Sequence, residues 1–171
     1  QSITSAVSEA QDCSEGSFNI KNVYVGIAGQ HIKSLQHRGM YTKRDNSSEI
    51  SQEDIDFFVD DMYKMVMPPG EEIIDVLPQE YIVDGSPEIK DPIGMAGVRL
   101  EANFHIITGQ INNVMNIKKC IERANLNVRD IILEPIASAD AVLSDEEKEA
   151  GVVLVDIGGG TTDIAIFQDG I

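Results

Sequence analysis

The sequence predicts an α/β fold that carries a smaller inserted α+β domain. Short apolar runs such as residues 23–28 are typical of strands buried on both faces, and they alternate with segments whose apolar residues recur at helical spacing. Between roughly residues 32 and 107 this alternation gives way to one clear helix and several short strands. We therefore expect residues 1–31 and 108–171 to form one domain and residues 32–107 another.

The first helix is predicted at the start of the chain. Its apolar positions share one helical face without a capping signal before them, and they are Ile3, Ala6, Val7 and Ala10. At the other end, residues 163–167 are predicted to form a strand, and the sequence stops just after the turn signal formed by Asp169 and Gly170. Both ends are therefore expected to lie inside a larger fold.

The clearest helix lies in the inserted stretch. Ser51 and Asp54 form a capping signal, and the prolines Pro68 and Pro69 end the helical repeat that follows. The apolar positions of this repeat are Ile55, Phe58, Val59, Met62 and Val66. Strands are predicted at residues 73–77, 80–83 and 98–107, separated by glycine- and proline-rich loops such as residues 85–87. The predicted order is strand, helix, strand, strand.

Helices and strands alternate again from Thr108 onward. A helix that Asn125 terminates is followed by a strand, a second helix and two final strands. The first helix has the apolar face Val114, Ile117, Ile121 and Ala124, and the later segments are residues 130–133, 135–143, 152–155 and 163–167. The acidic residues 144–149 are interpreted as a solvated loop, with a functional charge cluster as the alternative.

The composition argues against two classes of partner. The chain has 29 acidic and 13 basic side chains, and its formal charge of -16 repels nucleic acid phosphates and anionic lipid head groups. Its two cysteines, Cys13 and Cys120, have no paired spacing, so neither a disulfide framework nor a zinc cluster is predicted and a reducing cytoplasm is expected. No apolar run reaches the roughly 20 residues that span a bilayer.

Residues 152–167, VVLVDIGGGTTDIAIF, carry the strongest functional signal. Two apolar strands flank a tight turn that contains Gly158, Gly159, Gly160, Thr161 and Thr162. Glycines can take positive φ and lack a Cβ, so the backbone can approach an anion closely and direct N–H groups at it, while threonines add hydroxyl donors. Asp156 would repel a polyphosphate unless a hydrated Mg²⁺ lies between them. The turn is thus predicted to bind phosphate, with Asp156 holding Mg²⁺ through water.

Two of these features also have an ordinary structural explanation. A glycine-rich β-hairpin needs no ligand, although three glycines and two threonines between two aspartates exceed what a two-residue turn requires. Asp163 is explained equally well as an outward polar residue at the start of a strand. We interpret the turn as a phosphate site and leave the role of Asp163 open.

The same run resembles the second phosphate-binding hairpin of the actin, Hsp70 and sugar-kinase superfamily. Residues 130–143, DIILEPIASADAVL, are similar to the strand and helix that precede the hairpin there. In that superfamily an acidic or amide side chain at the end of this strand orients the attacking water, and Glu134 stands at the matching position. Glu134 is explained equally well as a carboxylate that favours a helix N-terminus before Pro135, so both roles remain open.

Three further stretches closely resemble the inserted domain, called 1C or SHS2, of the FtsA family of bacterial cell-division proteins. They are VYVGIAGQHI at residues 23–32, LPQEYIVDG at 77–85 and KDPIGMAGVRLEANFHIITG at 90–109. The resemblance implies a partial actin-like (ribonuclease H-like) subdomain 1A at residues 1–31 and 108–171, including the phosphate-binding hairpin. It implies a small α+β 1C domain of the order strand, helix, strand, strand at residues 32–107.

The resemblance also implies a function. Members of the family bind ATP and Mg²⁺, with at most weak ATPase activity expected here, and lie as cytoplasmic proteins at the inner face of the cell membrane. FtsA self-association and the recruitment of later division proteins are expected through 1C. Contacts with FtsZ and the membrane are expected from regions absent from this chain. The alternatives are a PilM-like protein, an Hsp70-like ATPase, or a sugar or acetate kinase, for which no general base is visible.

Overall fold

The computed structural model describes residues 2–14, 19–43 and 49–170 of the chain. The chain divides into two compact units. The outer unit consists of Gln1–His31 and Ile111–Ile171, and the inserted unit consists of Ile32–Gln110. The mixed α/β class predicted from the sequence is confirmed.

The inserted unit contains four strands and one helix. In chain order they are β2 (Ile32–Thr42), α2 (Gln52–Tyr63), β3 (Glu71–Val83), β4 (Ser86–Ile89) and β5 (Arg99–Gln110). The strands form one antiparallel sheet in the order β2-β5-β3-β4. The predicted order of strand, helix, strand, strand is therefore observed with one short strand, β4, added.

The core of the inserted unit lies between helix α2 and the sheet. Phe58 of α2 meets Phe104 of β5 edge to face, with ring centroids 5.0 Å apart. Both side chains are almost completely buried. Gly39 of β2 lies beneath them, because a Cβ at this position would be 2.8 Å from the Phe58 ring. The absence of a side chain at Gly39 thus lets the helix approach the sheet closely.

Helix α2 begins where the sequence predicts, but it ends before the last apolar residue of the predicted repeat. Ser51 and Asp54 form the predicted capping box. The helix stops at Tyr63, where the Lys64 N–H donates to Asp61 O and Met62 O in a tightened last turn. Val66 was predicted to lie on the apolar face, but it is 95% exposed. The chain leaves the helix after Tyr63, ahead of the prolines. Val66 fits the helical spacing only by chance.

Strand β3 corrects a second prediction. Residues 73–77 and 80–83 were predicted as separate strands, whereas Glu71–Val83 forms one strand with irregular register at Ile73/Asp75 and Pro78/Glu80. Proline has no N–H to donate, but Pro78 lies next to an irregularity and pairs with β5 on one side only. The strand therefore continues through a residue that usually interrupts one.

The loop predicted at residues 85–87 is part of a tight β-hairpin. Asp84 and Gly85 have φ values of 47° and 88° and connect Val83 directly to Ser86. Positive φ at both central residues is the requirement of a type I′ turn, for which Asp-Gly is a favoured sequence. The sequence signal was present, but the adjacent proline favoured an interpretation as a loop.

The outer unit contains four helices and four strands within the described residues. In chain order they are α1 (Ser2–Cys13), β1 (Asn22–Ile27), α3 (Ile111–Glu122), β6 (Asn127–Leu133), α4 (Glu134–Val142), α5 (Asp145–Ala150), β7 (Val152–Ile157) and β8 (Thr162–Phe167). Strands β1 and β6 pair in parallel, and β7 and β8 form an antiparallel hairpin with a sheet of its own. Asn125 has φ of 59° just after α3, consistent with the predicted terminator.

Helix α5 replaces the loop predicted at residues 144–149. Ser144 and Glu147 form a capping box, and acidic side chains fill the first turn, where the helix dipole favours negative charge. None of its residues is buried. The helix therefore has no apolar repeat, which is why a search for hydrophobic periodicity could not find it. None of the helices within the described residues combines the length and the apolar character that a membrane span requires.

Candidate phosphate-binding site

The β7–β8 hairpin presents its turn to solvent. The two strands pair in register from Val152 with Phe167 to Ile157 with Thr162. The Gly158 N–H donates to Thr161 O at 2.9 Å and closes the turn. All residues from 156 to 162 are exposed. The predicted phosphate-binding residues are therefore brought together in one accessible loop.

The three glycines of the turn do not adopt the positive φ that the sequence analysis allowed for. None of Gly158, Gly159 and Gly160 has φ in the left-handed region, so positive φ is not what the turn requires of them. A Cβ added at Gly159 or Gly160 would have no atom within 4 Å. The space beside these two residues is open, so a ligand can approach their backbone closely. A side chain at either position would occupy that space.

Two carboxylates lie on one face of the hairpin next to this turn. Asp156 of β7 is directly opposite Asp163 of β8. Asp163 is partly buried, whereas Asp156 is exposed. Like charges placed directly opposite on a sheet destabilise it unless a cation or a hydrogen-bond donor is nearby. The pair thus provides two oxygen donors of the type that Mg²⁺ prefers.

Ser138 is a further candidate site residue, which the sequence motif does not include. It lies on α4, and its Oγ donates a hydrogen bond to Oδ2 of Asp156 at 3.3 Å. Ser138 follows Glu134 by four residues, so the two side chains share one face of the helix. This spacing could have identified Ser138 from the sequence, because a polar residue four positions after Glu134 lies on the helix face that carries the Glu134 carboxylate.

Glu134 is the first residue of α4, just after the strand β6. Its side chain is exposed and lies over Gly26 of the neighbouring strand β1, which pairs with Ile132. Leu133, at the N-cap, makes no side-chain capping bond, and Glu134 is the acidic residue of the first turn, where the helix dipole favours negative charge. Its position thus agrees with stabilisation of the helix start, and its role in orienting water stays a prediction.

The arrangement is chemically suited to a metal-bound phosphate. The turn offers backbone N–H groups and two threonine hydroxyls, and the adjacent face offers Asp156 and Asp163. Within the described part of the chain, no group of three or more histidine, cysteine, aspartate or glutamate side chains is placed to hold a metal ion. A cation at Asp156 would therefore take most of its ligands from water and phosphate, as Mg²⁺ usually does.

Comparison with known proteins gives the same division of the chain. Residues 29–108 match the family described as "SHS2 domain inserted in FTSA", and residues 112–170 match the family described as "Hsp70 protein". The first match ends two residues before the end of the inserted unit, and the second runs from the second residue of α3 to beyond the end of β8.

Curated relatives align with nearly the whole chain. The cell division protein FtsA of Pseudomonas aeruginosa is 46% identical over 170 residues, covering 99% of this chain and 40% of the relative. FtsA of Neisseria meningitidis serogroup B is 44% identical with the same coverage, and FtsA of Bacillus subtilis is 40% identical over 90% of this chain and 35% of its own length. The chain thus spans 40% or less of the length of these three relatives. It belongs to the FtsA family of cell-division proteins.

Proposed function

We propose that a full-length FtsA protein containing this chain, called the full-length protein below, binds ATP and Mg²⁺ at the β7–β8 turn. The observation that carries the proposal is the open space beside Gly159 and Gly160 at the end of an otherwise regular hairpin. A turn that served only to connect two strands would have no need of consecutive residues without side chains. The β- and γ-phosphates are the groups we expect to occupy this space.

Mg²⁺ is the ion that reconciles the phosphates with the carboxylates. Asp156 and Asp163 would repel a polyphosphate, and a hydrated divalent cation placed between them and the phosphates removes that repulsion. Ser138 holds Asp156 by its hydrogen bond and leaves the second carboxylate oxygen for a metal-bound water. When bound, the ion supplies charge neutralisation at the phosphates, and the protein residues supply its orientation.

Glu134 is the candidate for orienting the water that attacks the γ-phosphate. It lies on the same face of α4 as Ser138, which contacts Asp156. Orientation of water by one carboxylate contributes to hydrolysis only when the phosphate is held in line with it. We therefore expect weak ATPase activity that depends on Glu134.

The cellular role that we propose is that of the family. The full-length protein links the FtsZ ring to the inner face of the cell membrane, through regions outside this chain, and recruits later division proteins. We assign FtsA self-association and recruitment to the inserted unit. Its helix α2 exposes the acidic side chains Glu53, Asp56, Asp60 and Asp61. A basic cytoplasmic peptide would be attracted to such a surface, and added salt would weaken its binding.

An Hsp70-like ATPase is the second candidate, because residues 112–170 match that family. The inserted unit argues against it. Residues 29–108 match a domain that is described as inserted in FtsA, and they lie in sequence between the β1 strand and the α3–β8 segment. A chaperone function would require binding of unfolded peptides by the full-length protein, which a peptide-binding assay measures directly.

Isothermal titration calorimetry with Mg-ATP tests the nucleotide site. In the full-length protein, Gly159→Val should abolish detectable binding, because the branched side chain fills the space that the phosphate needs. The fold should be retained, since no atom lies within 4 Å of a Cβ at this position. Gln168→Val, an exposed change at the other end of the hairpin, is the matched control and should bind as the wild type does. Equal binding by both variants would contradict the proposed site.

A further inference from the structure

We propose that Gly26 is a positioning residue that sets the orientation of the Glu134 side chain. Gly26 lies within the strand β1 and its φ is not in the left-handed region, so the backbone there does not require glycine. A glycine inside a strand lowers its stability and often marks a close approach by another group. Here the approaching group is Glu134.

The geometry of the contact identifies the constraint. A Cβ added at Gly26 would lie 2.8 Å from Cγ of Glu134, 3.2 Å from its Oε1 and 3.5 Å from its Cδ. These are the three nearest atoms, and all belong to the same side chain. Contacts shorter than about 3.4 Å between carbon atoms are repulsive. The observed orientation of Glu134 is therefore available only when residue 26 has no side chain.

The constraint acts on the side chain and not on the fold. Glu134 is exposed and has rotatable bonds, so a methyl group at residue 26 would be accommodated by a change of its rotamer. The backbone of β1 accepts alanine, because its φ is ordinary for a strand. Gly26→Ala should consequently move the Glu134 carboxylate while leaving the parallel pairing of β1 with β6 intact.

The orientation of the Glu134 side chain matters because the same face of α4 also carries Ser138. Ser138, one turn further along the same helix face, donates to Asp156 and so connects this face to the carboxylates beside the phosphate turn. A change in the Glu134 rotamer alters the direction of its carboxylate with respect to a helix that is otherwise fixed. The inference rests on the proposed function, in which Glu134 orients the attacking water.

The test combines kinetics, binding and structure in the full-length protein. Gly26→Ala should lower the single-turnover rate of ATP hydrolysis by about 10- to 100-fold, the cost expected when a catalytic group is displaced by about 1 Å. The Kd for Mg-ATP, measured by titration calorimetry, should change less than about twofold, and the thermal unfolding midpoint should not fall. In a Glu134→Ala background, Gly26→Ala should give no further loss of rate.

A crystal structure of the Gly26→Ala variant gives a result that does not depend on ATP. It should show the Glu134 carboxylate displaced and β1 unchanged. Normal hydrolysis in Gly26→Ala, an unmoved Glu134, or an equal loss of rate with and without Glu134 would each overturn the inference. If the wild-type protein binds no Mg-ATP, the proposed function fails, and the position of Glu134 in the two crystal structures still decides whether Gly26 sets its orientation.

Discussion

Asp156 depends on a partner that lies outside the hairpin. The hydrogen bond from Ser138 restricts its carboxylate, and Asp163 on the opposite strand raises the local negative charge. The glycine-rich run alone predicted Asp156, because an acidic residue next to a phosphate site implies a cation. It could not reveal Ser138, since a contact between residues 18 positions apart in sequence depends on how α4 packs against β7.

Ser138→Ala should weaken Mg²⁺ binding without loss of the fold. The substitution removes one hydrogen bond to a charged group, so the apparent Mg²⁺ affinity in the presence of ATP should fall by roughly tenfold. Ser138→Thr retains the hydroxyl and is the matched control. Asp156→Asn should reduce the affinity further, because it removes the charge itself. A Mg²⁺ titration of ATP binding that is the same in wild type and Asp156→Asn would remove Asp156 from the site.

Asp54 in the inserted unit is the residue whose ionisation is most clearly altered. Partial burial acts to raise its pKa, but hydrogen bonds from Ser51, Tyr41 and Lys43 outweigh this effect and lower the pKa to about 2. The Lys43 side chain is 1% exposed, and its Nζ lies 3.2 Å from Oδ2 of Asp54. Asp54 of the capping box therefore also forms an ion pair with the buried side chain of Lys43, which the capping signal in the sequence did not reveal.

The pH dependence of stability follows from the direction of this shift. Because the pKa of Asp54 is lower in the folded state, its contribution is fully present above the unfolded pKa near 4 and is lost as the pH falls through about 2. The contribution should be about 2 kcal/mol at neutral pH. NMR titration of the Asp54 carboxyl carbon should give a midpoint near 2 in wild type and a higher one in Lys43→Met. A wild-type midpoint near 4 would contradict the assignment.

At the scale of elements, the sequence predicted those that bury an apolar face. Helix α2 was recognised from its capping signal and its repeat, and the hairpin β7–β8 from two apolar runs around a turn. Helix α5 was missed because all of its residues are at least partly exposed, so its sequence has no repeat of apolar residues at helical spacing. Strand β3 was divided in two because its tolerance of Pro78 depends on the pairing of its neighbours, which is a tertiary property.

The close packing of α2 on the sheet depends on Gly39. Gly39→Ala should destabilise the inserted unit by about 1–3 kcal/mol, because the added methyl group would overlap the rings of Phe58 and Phe104 in a closely packed core. Ser34→Ala, an exposed change on the same strand, is the control and should alter stability little. Chemical denaturation followed by circular dichroism measures both. Equal stability of the two variants would show that the helix can move away without cost.

At the scale of the whole molecule, the two units differ in how well they bury their apolar residues. The main core cluster lies within the inserted unit. In the outer unit, the hairpin exposes Val153, Val155, Ile157, Ile164 and Ile166 on one face. Exposed apolar faces of this kind are characteristic of interaction surfaces and also of aggregation. The apolar runs of the sequence predict these two strands, but they do not reveal that one face of the hairpin exposes its apolar side chains to solvent.

The inserted unit should therefore fold independently. Residues 32–110, expressed alone, should unfold in one cooperative transition, because the unit has its own helix, sheet and core. Residues 1–31 joined to 111–171 should instead associate or remain partly unfolded, because of the exposed hairpin face. Thermal unfolding and analytical ultracentrifugation distinguish these outcomes. An inserted unit without a cooperative transition would contradict the division of the molecule.

Removal of the inserted unit separates nucleotide binding from partner binding. The full-length protein without residues 32–110 should still bind Mg-ATP, because every candidate site residue lies in the outer unit. It should no longer associate with other FtsA subunits or recruit later division proteins. Pull-down and sedimentation assays at low and high salt measure the two losses. Unaltered recruitment and assembly would mean that the unit is a spacer.

The most direct test of the nucleotide site is a crystal structure of the full-length protein with Mg²⁺ and a non-hydrolysable ATP analogue. Phosphate oxygens should lie about 3 Å from the backbone nitrogens of Gly159 or Gly160, the usual hydrogen-bond distance. An Mg²⁺ ion should reach Asp156 directly or through one water. Nucleotide bound elsewhere, with no phosphate in contact with the glycine turn, would contradict the proposed site.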